Sequence, residues 1–565
     1  MLDFNEEEQN KKLEELRKQE AEELARVLSD KYGIQYIDLS VKSINSDALK
    51  VIPEEEARAG GVAAFQIAGK KLSVAILSPN SQKTKDVLAE LENKGFVNTV
   101  YMVTQSSLDR AWDRYKELSK SFVTKAGLID ISTEILEEFM QKTKTIEDIR
   151  ASISEITANK NRNTSQIFEM ILAGALALGA SDIHMEPQEL TIRLRYRLDG
   201  VLHDIDNFDK GVYRLIASRI KLLSSLKLNF NKNAQDGRFT INVGLKDIEV
   251  RTSVGPGAYG ETIVMRLLDP EAISINLEDM SIEPKLLGIF LNEIEKPNGL
   301  ILVTGPTGSG KTTTLYAFLK KVNQPSAKII TIEDPIEYHL KGLSQTQVNE
   351  DAGYTFLEGL RSVMRQDPDI IMVGEIRDSE TAKIAINAAL TGHLVFSTLH
   401  TNDAAGAIPR LVDLGVNHKI IASALTLTIA QRLTRQLCQV CKKEIAPDAR
   451  QKKIIDTLIG DIKEKRPDIR ITNTEKIWTI GGIPCKACNG IGYKGRIAVF
   501  EAILVDKDIE KVIDEKINDR EIKEAAKKQG ILDMREDGIL KVLNGVTSME
   551  ELERVVELER REEYT

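Results

Sequence analysis

Residues Gly305 to Thr312 spell G-x-x-x-x-G-K-T between an apolar run, Leu300 to Thr304, and a helix-compatible stretch reaching Leu319. Gly305, Gly308 and Gly310 allow a tight turn that aims successive backbone N–H groups inward, where they and a helix N-terminus together hold an anion. Lys311 is positioned to reach terminal phosphates and the Thr312 hydroxyl to ligate Mg²⁺. A glycine turn that only joined a strand to a helix would not need Lys-Thr at those offsets. The spacing therefore predicts a nucleoside triphosphate site formed by Gly305, Pro306, Thr307, Gly308, Ser309, Gly310, Lys311, Thr312 and Thr313.

Two acidic clusters follow, each at the end of a strand-like run: Ile329-Ile-Thr-Ile-Glu-Asp-Pro-Ile-Glu337 and Asp369-Ile-Ile-Met-Val-Gly-Glu-Ile-Arg377. Parallel-sheet enzymes gather their chemistry at the C-terminal strand ends. Glu333 and Glu375 are thus expected to converge on a γ-phosphate from neighbouring strands, one orienting water and the other helping with the metal. Gly374 stands where an Asp commonly precedes such a Glu, so Mg²⁺ would rest mainly on Thr312, phosphate oxygens and water. Solvated acids at strand ends are the alternative reading of the same residues. A third string, Gly392-His-Leu-Val-Phe-Ser-Thr-Leu-His-Thr-Asn-Asp403, sets His393 and His400 on either side of a strand-like Leu394 to Thr398, with His400 at the end where a γ-phosphate would be sensed.

All four cysteines form two pairs, Cys438-x-x-Cys441 and Cys485-x-x-Cys488, separated by 43 residues. Paired knuckles of this kind fit a tetrahedral Zn²⁺ held by four thiolates, a closed set with no catalytic opening. Free buried thiols are one alternative. A disulfide framework is the other, and a large cytosolic chain disfavours it.

These residues need a scaffold, and 565 residues are enough for three or four domains. With 42% hydrophobic and 29% charged residues the composition is that of an ordinary globular chain, and the net charge of −9 argues against a surface that coats nucleic acid. No apolar run is long enough to span a bilayer, and the acidic, helix-patterned N-terminus is unlike a secretory signal, so a cytoplasmic location is expected. Residues 1–20 read as a charged arm. From 21 to 145 a helical stripe of Leu24, Val27 and Leu28 and strand-like runs at Gln35–Leu39 and Leu72–Ile76 predict an α/β module. Residues from about 116 to 164 are polar and charged and read as a helix followed by a flexible linker, the linker assigned to 146–164, and Ser165 then caps a helix opening a second α/β domain, 165–275. A hinge over 276–284 leads to the nucleotide-binding domain, 285–565, with the cysteine-bearing insert at 437–492 and a helical tail from Asp506.

The strings GPTGSGKTT, TIEDPIEY, MRQDPDIIMVGEIRD and TGHLVFSTLHTND, in that order, closely resemble the Walker A, Asp box, Walker B and His box of the secretion ATPase superfamily, the motors of type II secretion and type IV pili. Gly374 before Glu375 matches that family's own form. Ser181 to Pro187, Arg195 to Gly200 and Gln235 to Arg238 are similar to its second N-terminal domain, and CKACNGIGYKGR to its tetracysteine element.

The resemblance implies an α/β fold: a RecA-like P-loop ATPase core preceded by a PAS-like α/β domain, an N-terminal α/β module and a zinc-binding insert. It implies ATP, Mg²⁺ and Zn²⁺ as cofactors, and Arg251 and Arg266 as paired arginines that swing from the second domain onto the phosphates. A homo-hexamer is implied, working against a membrane platform protein at the inner face of the cytoplasmic membrane. The N-terminal module resembles one that in some members binds a cyclic dinucleotide through an Arg-Leu-Gly opening. Here the stretch begins Leu24-Ala25-Arg26-Val27, and docking on a partner is expected instead. The function implied is ATP-driven type IV pilus assembly. A type II secretion or competence pseudopilus motor is the alternative within the family. A non-hydrolysing nucleotide-dependent adaptor and a DNA translocase are the alternatives outside it; nucleic acid is not an expected partner.

Overall fold

Alternation decides where each strand points. In Ile192–Leu198, Ile192, Leu194, Tyr196 and Leu198 are buried while Arg193, Arg195 and Arg197 face outward, the pattern of a sheet with one covered face. In Gly299–Thr304 every residue is buried, as in a parallel strand covered on both faces. The computed structural model describes residues 22–39, 44–49, 51–68, 71–116, 128–131, 145–158, 164–228, 233–243, 246–269, 275–471, 473–482, 485–515 and 518–559. They divide into two units, with the boundary between Phe122 and Val123. The expected charged arm, 1–20, lies outside the described residues.

The first unit is a three-stranded sheet in the order β1 (Val62–Ala68), β2 (Lys71–Ile76), β3 (Val97–Met102), antiparallel between β1 and β2 and parallel between β2 and β3. Helices Glu54–Gly60, Gln82–Asn93 and Gln105–Asp113 accompany it. The strand-like run at Gln35–Leu39 contributes only a bridge from Tyr36 to Met102. Of the expected helical stripe only Leu28 packs on the core, beside the buried Ala25 and Ser29, whereas Leu24 and Val27 are 61% and 64% exposed.

The second unit begins with a seven-stranded sheet, β4 (Leu128–Ile131), β5 (Asp182–Pro187), β6 (Ile192–Leu198), β7 (Val201–Phe208), β8 (Gln235–Val243), β9 (Lys246–Gly257) and β10 (Gly260–Leu268), in the order β4-β8-β9-β10-β5-β6-β7. All its pairings are antiparallel except that of β4 with β8. Two boundaries move as a result. β4 falls within the stretch assigned to the N-terminal module but joins the second domain's sheet. The stretch assigned as a linker contains a helix, Ile146–Ala158, whose Ile146, Ile149 and Ile153 enter the same core as Phe168, Ile171 and Ile183. Apolar residues three and four apart gave it a face to bury.

The nucleotide core is a second seven-stranded sheet: β11 (Gly299–Thr304), β12 (Ile329–Glu333), β13 (Ser344–Gln347), β14 (Ile370–Val373), β15 (Leu394–Leu399), β16 (Leu425–Leu437) and β19 (Tyr493–Leu504), in the order β13-β12-β14-β15-β11-β16-β19. It is parallel up to β16, and β19 closes it antiparallel. Phe290 meets Phe318 edge to face at 5.5 Å and Phe500 at 6.0 Å beneath the phosphate-loop helix Lys311–Val322. Truncating any of these rings to Ala costs about 3–5 kcal/mol. In the cysteine insert, β17 (Lys443–Ile445) and β18 (Ile477–Thr479) flank a helix, Ala449–Lys465, that begins with an Asp448/Gln451 capping box. Ile455, Leu458 and Ile462 of that helix join the main core, so the insert is not a separate body. Four helices from Lys507 to Val555 form the tail. Among the described residues no helix is long and apolar enough to cross a membrane.

Candidate functional site

The phosphate loop joins β11 to the helix Lys311–Val322, whose N-cap is Gly310 with no capping side chain, leaving the first-turn N–H groups free for an anion. Two of the loop glycines are required by their surroundings as well as by conformation. Gly305 has φ 145° and a Cβ there would lie 2.6 Å from the Gln431 carbonyl; Gly310 has φ 89° and its Cβ would lie 2.7 Å from Gln431 Nε2. Pro306, Thr307, Gly308 and the Thr312 hydroxyl line the exposed side of the loop, and Thr313 is half-buried behind them.

Lys311 is curled onto this loop, donating from Nζ to the carbonyls of Gly305 at 2.9 Å and Pro306 at 3.2 Å. Burial holds its ammonium below the usual lysine range, with Arg432 adding repulsion and Glu375 opposing both. An incoming phosphate offers that ammonium a better partner. Beside it, Ser309 Oγ and Gln431 Nε2 are buried with no hydrogen-bond partner. Gln431 Oε1 accepts from Thr314 Oγ1 at 2.7 Å, which fixes its amide against the loop. Two orphaned buried polar atoms and a cradle that methyl groups would fill fit a polyanionic ligand. Thr312 offers one hydroxyl at the rim, enough for one ligand of a hydrated Mg²⁺.

The acidic strand ends are neighbours, since β12 pairs with β14 and Gly374 donates its N–H to Ile332 at 2.8 Å. Their carboxylates differ. Glu375, two residues past β14, is mostly buried; it is ion-paired through Oε1 with Arg377, and its Oε2 lies 3.5 Å from His400 Nε2. Thr398 Oγ1 on β15 holds the Gly374 carbonyl at 2.8 Å, which sets the direction in which Glu375 leaves the strand. Glu333 is fully buried and accepts hydrogen bonds from Tyr316 Oη, from Thr331 Oγ1 at 2.5 Å and from Gln345 Nε2 at 3.0 Å. The two glutamates expected at the γ-phosphate thus stand in different surroundings. Glu375 sits within the field of Lys311, whereas Glu333 anchors the start of the Asp334–Glu337 loop. His393 donates from Nδ1 to the Ala388 carbonyl of its own turn at 3.0 Å, a structural contact.

Arg251 and Arg266 lie directly opposite one another on β9 and β10, and Arg238 on β8 continues the row. Arg251 already reaches the nucleotide core: Nη2 donates to the Ile336 carbonyl at 2.7 Å and Nη1 pairs with Glu337 at 3.2 Å. Arg266 pairs with Asp182 at 3.0 Å and remains more than half exposed. Burial by itself would raise the Asp182 carboxyl, but hydrogen bonds from Arg266 and Ser181 outweigh it and hold the group below its ordinary value. Among the described residues neither guanidinium contacts Gly305–Thr313.

Gln431 is a site residue that no motif contains, and Arg377 and Glu337 end the two acidic strings without a role assigned to them there. Arg377 follows Glu375 by two residues, a legible signal for an acid held by a base. Glu337 pairs with Arg251 across 86 residues of chain and Gln431 bonds Thr314 across 117, and nothing local marks either partner.

Cys438, Cys441, Cys485 and Cys488 converge, with all four Sγ atoms within 4.8 Å of one another. The cross pairs Cys438–Cys485 and Cys441–Cys488 are 3.9 and 3.7 Å apart. Those separations are too long for a disulfide and match the edge of a tetrahedron with Zn–S near 2.3 Å, about 3.8 Å. Gly492 N–H points at Cys488 Sγ at 3.2 Å, the kind of donor that steadies a metal thiolate. The donor set fits Zn²⁺, and the disulfide alternative falls.

The model of the Type II/IV secretion system protein family matches residues 157–554, and that of the MshEN domain residues 32–121. The Type IV pilus assembly ATPase PilB of Thermus thermophilus is 38% identical over 95% of this chain, which spans only 58% of that longer protein. The Type IV pilus assembly ATPase PilB of Myxococcus xanthus is 36% identical over 94% of this chain and 91% of its own. The Type II secretion system ATPase E of Vibrio cholerae is 42% identical, over 69% of this chain and 75% of its own. In fold alone, the Legionella pneumophila ATPase DotB covers 70% of the chain at a TM-score of 0.50 and 21% identity.

Proposed function

The chain belongs to the Type II/IV secretion system protein family and is an ATP hydrolase with a RecA-like core, and from that premise we propose that it is the hexameric motor that powers type IV pilus assembly. One observation favours the pilus over the secretion machine: the PilB relatives align along 94–95% of the chain, N-terminal unit included, whereas the type II secretion ATPase of Vibrio cholerae aligns along 69%. The higher identity of that shorter alignment keeps a type II secretion or competence pseudopilus motor as the second reading.

In this reading ATP is held by the amides of Gly305–Thr313, with Lys311 exchanging its two carbonyl partners for the β- and γ-phosphates. Mg²⁺, when bound, neutralises phosphate charge, and Thr312 would be its protein ligand. Glu375 orients and deprotonates the attacking water, aimed by Arg377 and His400. Glu333 acts at one remove, keeping Tyr316 and Gln345 fixed beneath the loop that Arg251 grips. Closing the second domain further about the 276–284 segment brings Arg251 and Arg266 to the phosphates; product release reopens the cleft, and that motion is the output. The four cysteines hold Zn²⁺ as a structural site. Force passes to a membrane platform protein at the inner face of the cytoplasmic membrane.

The test has two arms. ATPase activity and size distribution of the purified parent, Lys311→Ala and Glu375→Gln test the motor; a parent inactive in every oligomeric form would sink it in favour of an adaptor. Deletion and complementation in the native host separate the machines. Loss of surface pili with secretion intact supports the pilus, and the reverse overturns it.

A further inference from the structure

Two motifs of the sequence remain without a role: the Arg195–Gly200 string of the second domain and the Ile491–Gly495 stretch that follows the last cysteine. The structure brings them together. Asp199 and Gly200 form a two-residue turn between β6 and β7, with φ 48° and 85° and Leu198 paired to Val201. The Asp199 carboxylate leaves this tip and its Oδ2 accepts the Gly495 N–H at 2.9 Å, across 296 residues of chain. Four residues earlier, Ile491 leaves the cysteine knuckle and packs against the second domain's own hydrophobic core.

The knuckle determines where both contacts sit. Gly490 N–H and Ile491 N–H bond back to the carbonyls of Cys485 and Cys488, each at 2.9 Å, and Cys438 N–H takes the Gly492 carbonyl at 2.9 Å. Asn489, Gly490 and Gly492 all adopt positive φ to make this bend. Thus the bend that presents Ile491 and the β19 amide of Gly495 is templated by the two cysteine pairs.

We infer that the Asp199–Gly200 turn and the Ile491–Gly495 segment form a latch, by which the zinc element holds the second domain in the docked arrangement that places Arg251 on Ile336 and Glu337. The cysteine element then serves domain positioning as well as local stability. Releasing the latch lets the second domain leave the core without disturbing the phosphate loop.

Hydrogen exchange of peptides spanning Tyr493–Gly495, measured on the full-length chain beside its ATPase kinetics, tests this. Asp199→Gly keeps the left-handed turn and removes the acceptor; Asp199→Asn keeps both. The glycine variant is expected to raise exchange at the Gly495 amide by about tenfold or more, the loss of one hydrogen bond to a charged group. Its kcat should fall while the KM for ATP stays near that of the parent. The asparagine variant should behave as the parent. Parent-like exchange in Asp199→Gly, or equal exchange in the two variants, overturns the latch. If Asp199→Gly does not fold, Ile491→Ala replaces it: faster exchange at Gly495 supports the latch, and parent-like exchange overturns it. The parent's own turnover, recorded alongside, tests the motor separately.

Discussion

Arg251 of the second domain and Glu337 of the nucleotide core are ion-paired at 3.2 Å, with the Ile336 carbonyl taking a second guanidinium N–H at 2.7 Å. Arg251 is thus held on the loop that follows Glu333, and its cross-strand neighbour Arg266 on Asp182; in the proposed mechanism both leave these partners for nucleotide phosphates. Each holds a carboxylate that a phosphate can displace.

Arg266→Ala should cut turnover by about 10³-fold or more while nucleotide affinity changes little, because a guanidinium that arrives at the transferring phosphoryl group stabilises charge there. Steady-state ATPase rates against fluorescent-nucleotide binding check this. Equal losses in both would remove the transition-state role.

Glu375→Gln should bind ATP as the parent does and turn it over about 10²–10⁴-fold more slowly, the range for loss of a general base. Lys311→Ala should fail at the binding step instead. A Glu375→Gln variant with parental kcat would return that carboxylate to mere surface charge, and Arg377 and His400 with it.

Metal analysis of protein purified without complexing agents should find about one Zn²⁺ per chain, as four convergent thiolates require. Cys485→Ser should lose the metal and lower the unfolding temperature of the second unit by roughly 5 °C or more. Retention of zinc in that variant would place the ion elsewhere.

Glu501 titrates out of the ordinary. Burial first, then the charges of Asp403 and Asp533, push its carboxyl up to about 7, against the Ala404 N–H and Lys523, which favour the ionised form. The folded chain therefore holds this proton more tightly than the unfolded one. Its contribution to stability falls as pH rises from about 4.5 through about 7 and is level above, a difference on the order of 3 kcal/mol. Glu501→Gln keeps an oxygen for Ala404 and cannot ionise. Its advantage over the parent in denaturant midpoint should widen between pH 5 and pH 8; a constant difference would contradict the sign.

The phosphate loop, Glu375 and the cysteine pairs are readable in the sequence because their chemistry restricts both residue type and spacing. Neighbouring strand ends for Glu333 and Glu375 follow from the same logic, but not the burial of Glu333, which depends on Tyr316 and Gln345 arriving from other elements. A helix ahead of the second domain is legible, but the charged residues around it hide that Ile146, Ile149 and Ile153 belong to that domain's core and not to a linker. At Leu24 and Val27 the reverse holds: a stripe suggests a buried face that Ala25 and Ser29 occupy. Contacts such as Asp199 with Gly495 span most of the chain, and no local pattern encodes them.

β16 runs from Leu425 to Leu437, its register with β19 shifting between Arg435 and Leu437; it carries Gln431 against the Gly305 and Gly310 backbone and delivers Cys438 one residue past its end. A rod about 23 Å long thus joins the ATP cradle to the metal knuckle. Whatever free energy couples the two must act equally in both directions. Bound nucleotide should therefore raise the affinity for zinc by the same factor by which zinc raises the affinity for nucleotide.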